Sequence, residues 1–136
     1  MTTSSVHIKY NVLLHEYTMH KYIQELEVFN VPKIIAYDYE RKVLITEKIN
    51  NVNIYDYYGV DYDYQDIFNE IRLIITNLFR YNIEYPDISG FNFIKHDNKI
   101  WITNFKHTRT ITGRLNGFVS KFINGLNEWN TQYKLT

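Results

Sequence analysis

Cysteine is absent from the 136 residues. Disulfides, thiol catalysis and cysteine–zinc sites are therefore excluded. Net charge is absent too, because fifteen basic residues cancel fifteen acidic ones. Domains that hold nucleic acid through general electrostatics are clearly basic, so no nucleic-acid partner is expected. No apolar run approaches the roughly 18 residues that a membrane span needs. The stretch Met1–Lys9 has no apolar signal-peptide segment. The expectation is a soluble, cytoplasmic protein with no membrane partner. Internal repeats and low-complexity linkers are also missing.

What remains is a globular composition, 45% hydrophobic and 22% charged, in a chain of one-domain length. Ile (18), Asn (15) and Tyr (13) together supply 46 of the 136 residues. All three use AT-rich codons, so the expected source is an AT-rich genome, viral or from a symbiont.

The apolar pattern orders the elements. Val6–Tyr10 alternates as a short strand. Leu13–Val28 carries a helical stripe through Leu13, Leu14, Tyr17, Tyr22, Ile23 and Leu26, closed by Asn30-Val31-Pro32. Ile34–Asp38 and Lys42–Thr46 read as paired strands, and Ile54–Tyr58 as one helical turn. Gln65–Arg80 is the clearest helix, with Ile67, Phe68, Ile71, Ile74, Ile75, Leu78 and Phe79 on its apolar face. Tyr85–Gly90 suits neither regular structure, since Pro86 removes a donor and Gly90 permits unusual backbone angles. Phe91–Ile94 and Lys99–Thr103 flank a hairpin turn at His96-Asp97-Asn98. A last helix is expected over Thr112–Trp129, burying Leu115, Phe118, Val119, Phe122, Ile123, Leu126 and Trp129. The fold class is α+β.

Phosphoryl transfer on the protein-kinase scaffold needs an ordered set of parts. A strand lysine is paired with a helix glutamate. An aspartate follows a long helix, and an asparagine stands five residues further on. A metal-binding aspartate comes after a short hairpin, directly before a buried phenylalanine. Val6-His7-Ile8-Lys9, the Gln65–Arg80 helix, Tyr85-Pro86-Asp87, Asn92 and Asn104-Phe105-Lys106 occur in that order. The sequence thus resembles the protein-kinase-like superfamily in a minimal, atypical form. Asn30-Val31-Pro32 followed by paired strands resembles the helix-to-sheet passage of small atypical kinases, which include the RIO type and the kinase of the tRNA threonylcarbamoyladenosine complex.

The resemblance implies roles. Lys9 stands at the phosphate-pairing lysine and Glu16 at its partner glutamate. Glu47 and Ile49 lie in the hinge that reads adenine, Asp87 matches the catalytic aspartate, and Asn92 and Asn104 take the metal positions. The implied cofactor is ATP with Mg or Mn, or none if the site has decayed. The whole chain, 1–136, would be one kinase-like domain, with 6–49 a small-lobe remnant and 50–136 a catalytic-loop and helical remnant.

Departures from the pattern shape the functional expectation. Met1–Ser5 is too short for the two strands of a Gly-rich loop, and little sequence after Lys106 is left for a full helical lobe. Asn104 replaces an aspartate, Lys106 a glycine and Tyr85 a histidine, and the seven residues from Lys9 to Glu16 are a short interval for the family. The expectation is a truncated, catalytically impaired kinase-like protein that acts by binding or mimicry of a partner. If the source is viral, it would modulate host signalling from the host cytoplasm. Two alternatives stay open: an active atypical small kinase using ATP and a divalent metal, and an α+β interaction protein with no nucleotide site. The partner is expected to be another protein or a second copy of the chain, with the tyrosine-aspartate stretch Tyr55–Tyr64 as one candidate surface. None of the five histidines has metal-ligand spacing.

Overall fold

The computed structural model describes residues 5–131. The chain runs β1 (Val6–Lys9), α1 (Leu14–Leu26), β2 (Ile34–Asp38), β3 (Val43–Glu47), α2 (Ile54–Tyr58), α3 (Gln65–Arg80), β4 (Ile83–Glu84), β5 (Phe93–His96), β6 (Lys99–Ile102), β7 (Arg109–Thr110) and α4 (Gly117–Ile123).

The first three strands form an antiparallel sheet in the order β1-β3-β2. Its register pairs His7 with Thr46, Ile8 with Ile45 and Lys9 with Leu44. Side chains alternate across a strand, so His7, Lys9, Leu44 and Thr46 share one face. Val6, Ile8 and Ile45 share the other. Helix α1 docks on the inner face, where Tyr17 stacks on Tyr37 with 4.2 Å between ring centroids. It ends at Glu27, whose φ of 57° is left-handed. Among the described residues no strand precedes β1, and no helix is long and apolar enough to cross a membrane.

Helix α3 is the spine of the rest. Ile67, Phe68, Ile71, Ile75 and Leu78 are buried on one face. Ile74 is only partly buried and Phe79 is 43% exposed, so the buried stripe is narrower than the sequence pattern suggested. Arg72 ties α3 to α4 by donating from Nε to the carbonyl of Phe122 at 2.7 Å. The hairpin β5–β6 turns through Asp97 and Asn98, both at positive φ (53° and 59°). That is the two-residue turn that matches strand twist. Strand β5 starts at Phe93, two residues later than expected.

The last helix is much shorter than Thr112–Trp129. Asn116 caps its start by accepting from the N–H of Val119 at 3.0 Å. Gly125, at φ +113°, ends it. The N–H of Gly125 bonds the carbonyl of Phe122, and that of Leu126 the carbonyl of Lys121. This pair of hydrogen bonds is the Schellman stop signal. Leu126 and Trp129 still pack on the core beyond the helix, so the apolar stripe was real and the helical reading of its end was not.

Two pairings had no sequence signal. Strands β4 and β7 join Ile83 to Thr110 and Glu84 to Arg109. The carboxylate of Glu84, 1% exposed, accepts from Arg109 Nε at 2.7 Å and from the N–H of Asn116 at 3.1 Å. The segment after Phe105 is thereby fastened to both α3 and α4.

Candidate functional site

A cleft of about 520 Å³ lies between the small sheet and the β5–β6 hairpin. Lys9, Glu16, Glu47, Ile49, Asn92 and Asn104 all line it. Lys9 points into it from β1, because odd positions of that strand face inward. Its Nζ meets Glu16 Oε2 at 2.5 Å, so the short seven-residue interval is no obstacle to the pair. The first turns of α1 carry Glu16 back beside the strand it follows.

Lys9 Nζ also reaches Asn104 Oδ1 at 3.3 Å. The Asn104 amide donates from Nδ2 to Asn92 Oδ1 at 3.1 Å. Asn92 in turn donates from Nδ2 to the carbonyl of Asp87 at 2.8 Å. One hydrogen-bonded chain thus joins Glu16, Lys9, Asn104, Asn92 and Asp87. The backbone keeps it in register, since the N–H of Thr103 donates to the carbonyl of Asn92 at 3.0 Å.

Asp87 itself is placed differently. It is 2% exposed and does not line the cleft. Both its carboxylate oxygens face His107 Nδ1, at 2.8 and 2.9 Å. The sequence reading passed over His107, because a histidine twenty residues from an aspartate carries no spacing signal. Tyr85, fully buried, donates its hydroxyl to the carbonyl of Asn104 at 2.6 Å. Asn130 supports the same loop from below, donating its side-chain N–H to the carbonyl of Pro86 at 2.7 Å.

Gly90 is needed for space rather than for angle. A methyl group there would meet Cβ of Tyr55 at 3.0 Å, and the residue carries no positive φ. The backbone freedom that glycine permits is not used there as a positive φ. Phe105 is buried against His20, with ring centroids 4.6 Å apart. His20 Nε2 lies 2.8 Å from the carbonyl of Pro32. Burial lowers its pKa to about 4, outweighing the carbonyl contact that pulls the other way. His20 is thus a neutral donor that holds α1 over Phe105.

The backbone at the end of β3 is bonded within the protein. The side chain of Glu47 accepts from the N–H of Lys33 at 2.9 Å, and its own N–H donates to the Lys33 carbonyl at 2.9 Å. Its side chain is therefore turned to the sheet edge. Ile49 is 8% exposed and accepts from the N–H of Asn51 at 2.8 Å. Leu44 and Ile94 add apolar walls to the cleft, a surface suited to a flat ring.

The donor set does not suit a divalent cation. Hard cations favour carboxylates, whereas the two candidate positions are carboxamides. Asn104 Oδ1 already accepts from Lys9 Nζ and from the N–H of Lys106 at 3.0 Å. Among the described residues no group of three His, Cys, Asp or Glu side chains comes together to hold a metal.

No protein-family model matches the sequence, and no curated protein sequence does. Solved structures do. The crystal structure of the Rio2 kinase–ADP/Mg2+–phosphoaspartate complex from Chaetomium thermophilum superposes with a TM-score of 0.62 at 16% identity, over 80% of this chain and 34% of that one. A second Rio2 kinase structure from the same organism gives 0.62 and 16%, over 80% and 35%. The Rv3197–erythromycin complex from Mycobacterium tuberculosis gives 0.57 and 18%, over 73% and 27%. The fold is a minimal kinase-like α+β fold. The chain spans about a third of the length of the Rio2 structures it matches.

Proposed function

We propose that this chain is a catalytically impaired kinase-like protein that acts by binding. The observation that carries the reading is the position of Asn104. Its side-chain oxygen is held by Lys9, and its nitrogen by Asn92. Phosphoryl transfer relies on metal ions held by carboxylates to neutralise charge on the phosphates. A carboxamide brings no such charge, and Lys9 beside it would repel a second cation. Asp87, with both oxygens on His107 and its side chain buried, is badly placed to take a proton from a substrate hydroxyl.

The cleft has parts that suit a nucleotide without metal: Lys9 for phosphate, and Leu44 and Ile94 for a base. The ADP in the Rio2 kinase structure supports nucleotide as the ligand class. A protein partner, or a second copy of the chain, is the proposed target. Val6 and Ile8, each 46% exposed on the outer sheet face, and Ile35, at 56%, support that reading, because apolar residues gathered on one face mark interaction sites. The Ile-, Asn- and Tyr-rich composition fits an AT-rich genome, and a viral source acting in the host cytoplasm is part of the proposal.

The Lys9–Glu16 pair favours a second reading, an active atypical kinase using ATP and a divalent metal. A phosphotransfer assay with labelled ATP and Mg or Mn separates the two. The proposal expects no turnover above background. Robust turnover abolished by Asp87→Ala would establish the enzyme instead.

A further inference from the structure

The tyrosine-aspartate stretch after α2 builds a second concavity. Tyr62 and Tyr64 lie 5.1 Å apart between ring centroids, with their planes at 75°. Tyr64 and Trp129 lie 5.4 Å apart at 76°. Tyr64 is 8% exposed and its hydroxyl donates to the carbonyl of Gly59, so its ring is a fixed wall. Tyr62 is 43% exposed and forms the rim. These rings and Tyr55 line a groove of about 350 Å³. Among the described residues its lining carboxylates are Asp63 and Glu128, and no described lysine, arginine or histidine lines it. None of its lining residues belongs to the cleft.

The chemistry of such a groove is selective. Aromatic faces carry the negative part of the ring quadrupole and attract cations, most of all when the cation loses water easily. Rings set at right angles present such faces on more than one side. Two carboxylates add charge of the same sign. A bare metal ion would need a carboxylate cluster, which the described residues do not form. A trimethylammonium group fits better, since it is bulky, weakly hydrated and spreads its charge over methyl groups.

We infer that this groove binds an alkylated ammonium group, supplied by a methylated lysine side chain of a protein partner. A choline lipid headgroup carries the same cation, but it brings a phosphate next to the carboxylates of Asp63 and Glu128, which repel it. The inference deepens the reading of the chain as a binding protein and names its partner's chemistry. Because the groove and the cleft share no residue, each can fail alone.

The test is an NMR titration of the full chain, following the indole N–H of Trp129 and the amide of Tyr64. The probe is a glycine-flanked pentapeptide centred on trimethyllysine. The same peptide is also used with unmodified lysine and with the neutral tert-butyl carbon isostere. The trimethylated peptide should shift both signals saturably, and bind about tenfold tighter than either control. Tyr62→Ala should weaken it about fivefold or more, and Glu128→Gln, at a solvent-exposed position, should also weaken it. Equal binding of the neutral isostere would overturn the inference, as would absence of saturation at about 10 mM. Shifts produced by phosphatidylcholine vesicles and not by the peptide would overturn it in favour of lipid. A failed peptide titration alongside intact nucleotide binding would remove the groove and leave the cleft reading standing.

Discussion

The carboxylate of Asp87 lies against His107 Nδ1, its two oxygens at 2.8 and 2.9 Å, with the aspartate 2% exposed and the histidine side chain 32% exposed. A buried carboxylate needs such a partner, because an isolated charge away from water is costly. The residue that resembles a catalytic aspartate is therefore stabilised as part of the fold.

Removing the histidine should leave that carboxylate unpaired. His107→Ala is expected to cost about 2–4 kcal/mol of stability, read by urea denaturation. Asp87→Asn should cost less, and the double variant Asp87→Asn/His107→Ala should recover part of the loss. Additive losses would mean that the pair is not coupled.

His20 should make the fold sensitive to mild acid. Its folded pKa, about 4, lies below the ordinary value of 6.5. Above pH 6.5 both folded and unfolded forms are neutral, and the residue has no effect. As pH falls from 6.5 towards 4, the unfolded chain takes up a proton that the folded chain refuses, so stability falls. The loss should reach about 3 kcal/mol by pH 4. Denaturation curves across this window should flatten in His20→Gln, and an unchanged slope would refute the assignment.

Two glycines should resist substitution for different reasons. Gly90→Ala pushes a methyl group to 3.0 Å from Tyr55 Cβ, and should cost about 1–3 kcal/mol through crowding. Gly125→Ala meets no atom within 4 Å but sits at φ +113°, and should cost about 1–3 kcal/mol through backbone strain. A larger residue at 125 should then cost little more than alanine, whereas at 90 the loss should grow with side-chain size. Thermal melts of the alanine and valine variants at each position check this contrast.

Much of this architecture was legible in the sequence because it rests on period and order. The stripe of α3 and the hairpin before Asn104 follow from local pattern, and the hairpin's fixed length carries Asn104 to Asn92. Other features rest on contacts that no local window contains. Strands β4 and β7 have two residues each and exist only through their pairing. The last helix was over-extended because Leu126 and Trp129 continue the apolar spacing after Gly125 has ended the helix. His107 reaches Asp87 in a segment fastened by the β4–β7 pairing and by His15 against the carbonyl of Thr108. Phe79 fits the helical stripe, yet it lies at the margin of α3 where the core ends.

The central proposal is that the cleft takes nucleotide without a metal-dependent reaction, argued from Asn104, a carboxamide whose oxygen already accepts from Lys9. Calorimetric titration of ATP, with and without magnesium, tests it most directly in the unmodified chain and in Asn104→Asp. The account predicts affinities for the unmodified chain that agree within about twofold, and a gain of about tenfold on adding magnesium to Asn104→Asp. Magnesium-dependent tightening of about tenfold or more in the unmodified chain would contradict it.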